Sequence, residues 1–96
     1  MIKNNGFIKA LNDLKIEVEK DLQDVSKQLA ASCLIESINT RISLFEEDDV
    51  FSEEEVLESL LCVLKMDCED DVFDADFVKT TIGYINRINE IKVKYN

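Results

Sequence analysis

The chain has 96 residues, of which 46% are hydrophobic and 33% charged, and its formal net charge is −10 at pH 7. This length allows one domain, residues 1–96, and the balance of apolar and charged residues excludes a disordered chain. With no proline and two glycines the chain has too few turn residues for a sheet protein, so its composition favours an all-α fold.

The first half of the chain carries two apolar stripes with helical spacing, because apolar residues recur there every three or four positions. The first stripe comprises Phe7, Leu11, Leu14, Val18, Leu22, Val25 and Leu29, and the second comprises Leu34, Ile38, Ile42 and Phe45. A five-residue step from Leu29 to Leu34 separates them. We therefore predict a helix break near Ala31, although no glycine, proline, asparagine or aspartate marks a turn at that point.

Two arrangements follow from this first half. A break near Ala31 gives helices that are long, short, short and long, which pack as a small antiparallel helical bundle of four helices. A first helix continuous to Phe45 would be about 58 Å long, and its early half would lack an internal partner. That version has three helices and predicts a homodimer in solution. We predict the four-helix arrangement.

The next two helices begin with the same local sequence. Residues 47–56 read EDDVFSEEEV and residues 69–78 read EDDVFDADFV, identical at six of ten positions, through either duplication or convergence on one start signal. We predict Ser52 and Asp74 as the N-caps, and Ser52 with Glu55 as a capping box. In each helix the phenylalanine just before the N-cap should pack on the valine four residues after the N-cap. The expected pairs are Phe51 with Val56 and Phe73 with Val78.

Helix three is predicted over residues 53–66 and helix four from residue 75 to about residue 94. Each should bury one apolar face. The expected buried residues are Val56, Leu57, Leu60, Leu61 and Leu64 in helix three, and Phe77, Val78, Thr81, Ile85, Ile88 and Ile91 in helix four. Gly83 is unexpected within helix four, since glycine costs about 1 kcal/mol relative to alanine in a helix interior. We expect it to permit close packing against a neighbouring helix.

Little in the chain suggests catalysis. It contains no histidine and no glycine-rich phosphate loop. Cys33 and Cys62 lie in apolar helical segments and are expected in the core as reduced thiols, while the acids around Cys68 should raise the pKa of its thiol. Read as a calcium loop, the sequence from residue 67 places Val72 and Val78 where an EF-hand needs Gly and Glu. We expect no catalytic residue, no metal site and no cofactor.

One acidic pattern keeps a metal-dependent nucleotide hydrolase among the alternatives. Glu55 and Glu58 form an E-x-x-E pair, followed by Asp71 and Asp74, and all-helical nucleotide pyrophosphatases hold magnesium with paired acidic motifs of this general type. Asp74 and Glu55 already have an explanation as capping residues, however. The hydrolase is therefore the least favoured interpretation, and we predict that the chain is not an enzyme.

The acidic residues themselves are the most unusual feature of the chain. Residues 46–76 hold 14 of the 21 acids and one base, Lys65, so this segment has a net charge of −13. We predict a surface that binds a basic protein and repels nucleic acid and anionic membranes; the alternative is a solvated face that only confers solubility. The predicted partner-binding residues are Glu46, Glu47, Asp48, Asp49, Glu54, Glu58, Asp67, Glu69, Asp70 and Asp71.

These observations favour a cytoplasmic binding inhibitor of a basic, nucleic-acid-processing protein. In architecture and charge the chain is similar to bacterial immunity proteins against nuclease toxins, and also to phage anti-defence proteins that imitate the charge of DNA. The resemblance implies a basic toxin or nuclease as partner, with the immunity protein as the favoured form. A helical assembly or adaptor subunit that acts through apolar faces is the alternative from another class.

Overall fold

The computed structural model describes residues 5–47 and 52–95, and within these ranges every regular element is helical. Four α-helices follow one another, with a short 3-10 turn between the first two. The helices are α1 (Asn5–Glu19), α2 (Gln28–Glu47), α3 (Glu53–Glu69) and α4 (Ala75–Tyr95), and the 3-10 turn is Lys20–Gln23. The predicted all-α bundle of four helices is confirmed.

Side-chain pairs between helices show the antiparallel arrangement. Glu17 accepts a hydrogen bond from Arg87, and Asp21 accepts one from Tyr84, so residue numbers rise along α1 as they fall along α4. At the other end of the bundle the ring of Phe7 packs against Phe45, with ring centroids 5.2 Å apart. We call the end that contains residues 19–28 and 67–76 the upper end, and the end that contains residues 44–47 and 52–55 the lower end.

The break between α1 and α2 lies at residues 24–27, so the predicted break near Ala31 is wrong. Ala31 is fully buried inside α2. Asp24 leaves the helical conformation, with φ −104° and ψ 115°. Its Oδ1 accepts hydrogen bonds from the Ser26 amide at 3.0 Å and the Ser26 hydroxyl at 2.8 Å. A short acidic side chain that binds the backbone two residues ahead competes with helical hydrogen bonds and favours a turn.

The position of this break changes which residues the first stripe buries. Val25 and Leu29, which helical spacing placed with the core residues, are 88% and 57% exposed. The predicted order of lengths is also wrong, because α1 has 15 residues and α2 has 20. The three-helix alternative with a first helix continuous to Phe45 is excluded, and with it the reason that we gave for a homodimer.

The predicted helix starts are confirmed where the structure describes them. The Ser52 hydroxyl accepts a hydrogen bond from the Glu55 amide, and Glu55 Oε1 accepts one from the Ser52 amide, both at 3.2 Å. Asp74 Oδ1 accepts a hydrogen bond from the Phe77 amide at 2.9 Å. The Phe73 ring stacks on Phe77, with ring centroids 3.9 Å apart, whereas its contact with Val78 stays a prediction. Phe51 lies outside the described residues.

One apolar core runs along the axis of the bundle, and it includes every residue predicted to be buried in helix three. In α4, Phe77, Thr81 and Ile88 are buried as predicted, while the flanking predicted positions are half-buried. Tyr84 is a further buried residue of α4 that the apolar pattern missed. The core residues are Phe7, Leu11, Leu14, Val18, Ala30, Ala31, Leu34, Ile38, Phe45, Val56, Leu57, Leu60, Leu61, Leu64, Phe77, Tyr84 and Ile88.

Two other expectations are corrected. Cys62 is exposed, because it lies two turns after Glu54 on the solvent side of α3, whereas Cys33 is half-buried against the core. Gly83 is exposed on α4, and a Cβ atom built there would meet no atom within 4 Å. It therefore has no role in close helix packing within the described chain. None of the described helices combines the length and apolar character that a membrane span requires.

Candidate partner-binding surface

The predicted partner-binding acids fall into two groups at opposite ends of the bundle. The lower group consists of Glu46 and Glu47 at the end of α2 and Glu54 in the first turn of α3. The upper group, at the end of α3 and just beyond it, consists of Asp67, Glu69, Asp70 and Asp71. Fifteen residues of helix separate the first and last α3 members of these groups, which corresponds to about 22 Å. Asp48 and Asp49 lie outside the described residues.

The solvent side of α3 becomes less acidic towards the upper end. Its lower half carries Glu55 and Glu58, and beyond Glu58 the exposed residues are Ser59, Cys62, Lys65 and Met66, none of which is acidic. Among the described residues of the acidic segment, the carboxylates therefore lie towards the two ends of α3, separated by residues 59–66, which contain no acid.

Glu58 differs from the other predicted acids because it already has a cation. Lys92 of α4 donates a hydrogen bond from Nζ to Glu58 Oε1. This hydrogen bond and the positive charge of Lys92 lower the pKa of the Glu58 carboxyl below its usual value. Glu58 thus ties α3 to α4, and a partner would have to compete with Lys92 for it.

The remaining acids of both groups lack such a cation. Among the described residues, the ion pairs join Lys9 to Asp13, Arg87 to Glu17 and Glu90, and Lys92 to Glu58. None involves a member of either acidic group. Six of these members are exposed, and the seventh, Asp67, is half-buried. Acids and bases thus alternate on α1 and α4, while carboxylates accumulate unpaired at the two ends of α3.

Some of these acids also have a local structural role. Glu54 lies in the first turn of α3, where a negative charge interacts favourably with the positive end of the helix dipole. Asp70 Oδ1 accepts a hydrogen bond from the Val72 amide at 3.0 Å and shapes the loop before α4. Glu46, Glu47 and Glu69 are different, because they lie at the negative ends of helices, where a carboxylate is unfavourable.

A groove of about 420 Å³ opens between α2 and α3 at the lower end. We call it the α2–α3 groove. It is lined by Arg41, Leu44, Glu54, Glu55, Val56, Glu58 and Ser59. The Arg41 guanidinium donates from Nη1 to the Ser37 carbonyl oxygen at 3.3 Å, but its Nε is buried and has no hydrogen-bond partner. The groove therefore combines aliphatic and acidic residues with one incompletely bonded arginine.

A second cavity of about 470 Å³ lies at the upper end, between the α1–α2 turn and α4. Its lining includes Gly83 and a hydrogen bond from the Tyr84 hydroxyl to Asp21 Oδ2 at 2.7 Å. Burial raises the pKa of Tyr84, and the hydrogen bond to Asp21 and the charge of Asp21 raise it further. Helical spacing could have placed Tyr84 on the core face, since it lies three residues after Thr81 and four before Ile88.

The thiols lack the environment that activates a cysteine. Burial raises the pKa of Cys33, and the charges of Asp67 and Glu36 add to the effect. The pKa of Cys68 is also raised, as predicted, although burial contributes more than the neighbouring carboxylates of Asp67 and Glu69. A raised pKa keeps these two thiols protonated and weakly nucleophilic at neutral pH.

Metal-ligand side chains do not converge in the described part of the chain. Within residues 5–47 and 52–95, no group of three or more cysteines or carboxylates has an arrangement that could hold an ion. The E-x-x-E pair is divided between two structural tasks, because Glu55 completes the capping box and Glu58 binds Lys92.

Comparison with known proteins identifies no relative from which a function could be transferred. No family model matches the chain, and no curated protein or solved structure matches it. The candidate surface is accordingly defined by the charges, exposure and contacts of its own residues.

Proposed function

We propose that this chain is a binding protein that blocks a basic, nucleic-acid-processing partner, in the manner of a bacterial immunity protein that neutralises a nuclease toxin. The observation that carries the proposal is the set of carboxylates at the two ends of α3 that have no cation within the described chain. A basic partner would supply those cations.

The energetics of the free protein support this reasoning. Like charges crowded at one end of a bundle repel each other, and Glu46, Glu47 and Glu69 also oppose the dipoles of the helices that carry them. A surface optimised only for folding would place lysines among these acids, as α1 and α4 do. Binding to a basic surface relieves the repulsion and accelerates association through long-range attraction.

The separation of the two ends bears on the kind of partner. Two charges about 22 Å apart interact weakly at physiological salt, where the screening length is about 8 Å. Each end therefore attracts its own basic patch, and the rigid helix between them holds the two at a fixed distance. Proteins that process nucleic acids present such extended basic surfaces, because they bind a regularly charged phosphate backbone.

One observation favours the adaptor interpretation as a second candidate. Val25 in the α1–α2 turn and Val72 in the α3–α4 loop are more than 80% exposed, and both loops belong to the upper end. Exposed aliphatic side chains at one end of a bundle can contribute to an apolar contact with another protein. If recognition uses this contact, binding should be insensitive to salt.

The proposal is tested by adding the chain to basic nucleases, beginning with any encoded beside its gene, and measuring the activity of each nuclease. We expect inhibition at a 1:1 ratio, with affinity that falls steeply as salt increases. Replacing Glu46 and Glu47, or Glu69 and Asp71, by lysine should weaken inhibition.

The matched control replaces Asp13 and Glu90 by lysine. Both are exposed, they lie on α1 and α4 away from the two acidic groups, and the double substitution changes the net charge by the same amount. If the control weakens inhibition as much as the two test pairs, only the total charge matters and the proposed surface is wrong. If no basic protein is inhibited or bound even at low salt, the proposed function itself is wrong.

A further inference from the structure

The α2–α3 groove offers an aliphatic surface that the bundle leaves open. Leu44 of α2 is 46% exposed although it faces this concave region, and Val56 of α3 contributes to the same lining. Aliphatic surface in a concavity is covered more completely by an incoming side chain than the same surface on a convex face. The volume of about 420 Å³ admits a few side chains rather than a whole helix.

The acids along the groove set the charge of anything that enters. The side chain of Glu54 forms no hydrogen bond or ion pair with the described residues, and it lies one position before Glu55. Glu55 uses Oε1 for the Ser52 amide, while its other carboxylate oxygen forms no such bond. Glu58 is held by Lys92. Glu54 is therefore the most available carboxylate for an incoming cation.

Arg41 adds a hydrogen-bond donor to the groove, so a ligand that binds there should carry an acceptor. Its Nε–H is buried without an acceptor, and a buried donor without a partner is unfavourable. A peptide segment carries carbonyl oxygens that can accept from this guanidinium after a small movement of the side chain, whereas a simple cation carries none. Phosphates would suit Arg41 but would be repelled by the three glutamates that line the same groove.

We infer that the α2–α3 groove is the docking site for a segment of the partner protein in which a lysine or arginine side chain stands beside an aliphatic one. The aliphatic side chain contacts Leu44 and Val56, and the cationic side chain pairs with Glu54. This inference rests on the proposed function and assigns the lower end of the bundle as the site of specific contact. The upper acidic group then contributes long-range attraction.

The probe is a synthetic helical peptide of about 20 residues, because isolated helices shorter than about 12–15 residues are marginal in water, with lysine and leucine on one face. Two control peptides replace every lysine by glutamate or every leucine by serine. Binding is followed by amide chemical shifts of the full chain at near-physiological salt. We expect shifts at Arg41, Leu44 and the first turns of α3, and weak or no binding of either control peptide.

Charge variants test the acidic contact. Glu54→Lys and Glu69→Lys both reverse an exposed glutamate of α3, one beside the groove and one at the far end of the helix. We expect Glu54→Lys to weaken peptide binding about tenfold, because it removes a direct ion pair with the peptide. Glu69→Lys removes only long-range attraction and should weaken binding about threefold or less. Glu54→Gln, which disturbs the start of α3 less, should fall between them and guards against a folding defect.

Aliphatic variants test the other half of the site. Leu44→Ser should weaken binding of the lysine–leucine peptide, whereas Met66→Ser should not, since Met66 is exposed on α3 outside the groove. Thermal melting of each variant checks that the fold is intact.

The possible outcomes separate this inference from the proposed function. If the peptide binds but the shifts map to residues 67–76, or Glu54→Lys and Glu69→Lys have equal effects, the groove is not the docking site while an acidic binding surface remains. Dilution-dependent shifts at the groove without peptide would instead assign it to a second copy of the chain. If the peptide fails to bind even at low salt, the groove is not the docking site, while the proposed function is decided separately by the inhibition of a basic nuclease.

Discussion

Replacing Gly83 by alanine should stabilise this protein, because Gly83 lies in the interior of α4, where glycine is less favourable than alanine. The residue is helical, does not have a positive φ angle and is exposed. A Cβ atom built on it would meet nothing within 4 Å, so alanine introduces no clash. The change therefore reduces to the difference in helix propensity, which is about 0.8–1.0 kcal/mol in favour of alanine.

This magnitude is large enough to measure in a domain of 96 residues. A gain of about 1 kcal/mol in the free energy of unfolding should raise the melting temperature by about 4–8 °C. Urea denaturation should show a higher midpoint with an unchanged slope, because the surface exposed on unfolding hardly changes.

Asn86 supplies the matched control, since it is an exposed position on the same helix one turn later. The difference between Asn86→Ala and Asn86→Gly reports the alanine–glycine preference of this helix directly. Gly83→Ala should give the same difference within experimental error. If Gly83→Ala is neutral or destabilising while the Asn86 pair shows the expected difference, Gly83 is in close contact with another chain. Sedimentation would then detect that association and refute the reasoning.

Four further substitutions test three other contacts, each by urea denaturation. Tyr84→Phe removes the hydrogen bond to Asp21 and should lower the free energy of unfolding by about 1 kcal/mol at neutral pH. Because folding raises the pKa of Tyr84, its hydroxyl ionises at lower pH in the unfolded chain than in the folded one. The extra stability of the wild type over Tyr84→Phe should therefore hold below about pH 10 and shrink above it. An increase above that pH would contradict the assignment. Ser52→Ala should lower the free energy of unfolding by about 1 kcal/mol, because it removes the hydroxyl that caps α3. Glu55→Gln keeps an acceptor for the Ser52 amide and should lower it by less; equal losses would argue against the capping box. Leu57→Ala should cost about 2–5 kcal/mol because the side chain is completely buried, and a loss below about 1 kcal/mol would mean that α3 packs differently.

Local features of the fold could be predicted because they depend on neighbouring residues. The caps at Ser52 and Asp74 follow from a short side chain placed before an apolar helical pattern, and both form the predicted hydrogen bonds. The core face of α3 follows equally from the spacing of its leucines. The Asp24 turn was within reach as well, since Asp24 and Ser26 have the spacing of an Asx turn. The prediction followed the continuous apolar stripe through Val25 instead and placed the break too late, near Ala31.

Other features were decided by the tertiary structure, because they depend on which helices meet. A glycine inside a helix is compatible with close packing against a neighbouring helix and equally with a solvent-exposed position. Only the structure, in which a Cβ atom at Gly83 would meet no neighbour within 4 Å, shows that this glycine faces solvent. The partner of Glu58 is Lys92, 34 residues away, which no local pattern indicates. The sequence by itself determined the amount of negative charge and its confinement to residues 46–76. Only the packing of the helices decided which of these carboxylates has a cation beside it, because Lys92 reaches Glu58 only where α4 packs against α3.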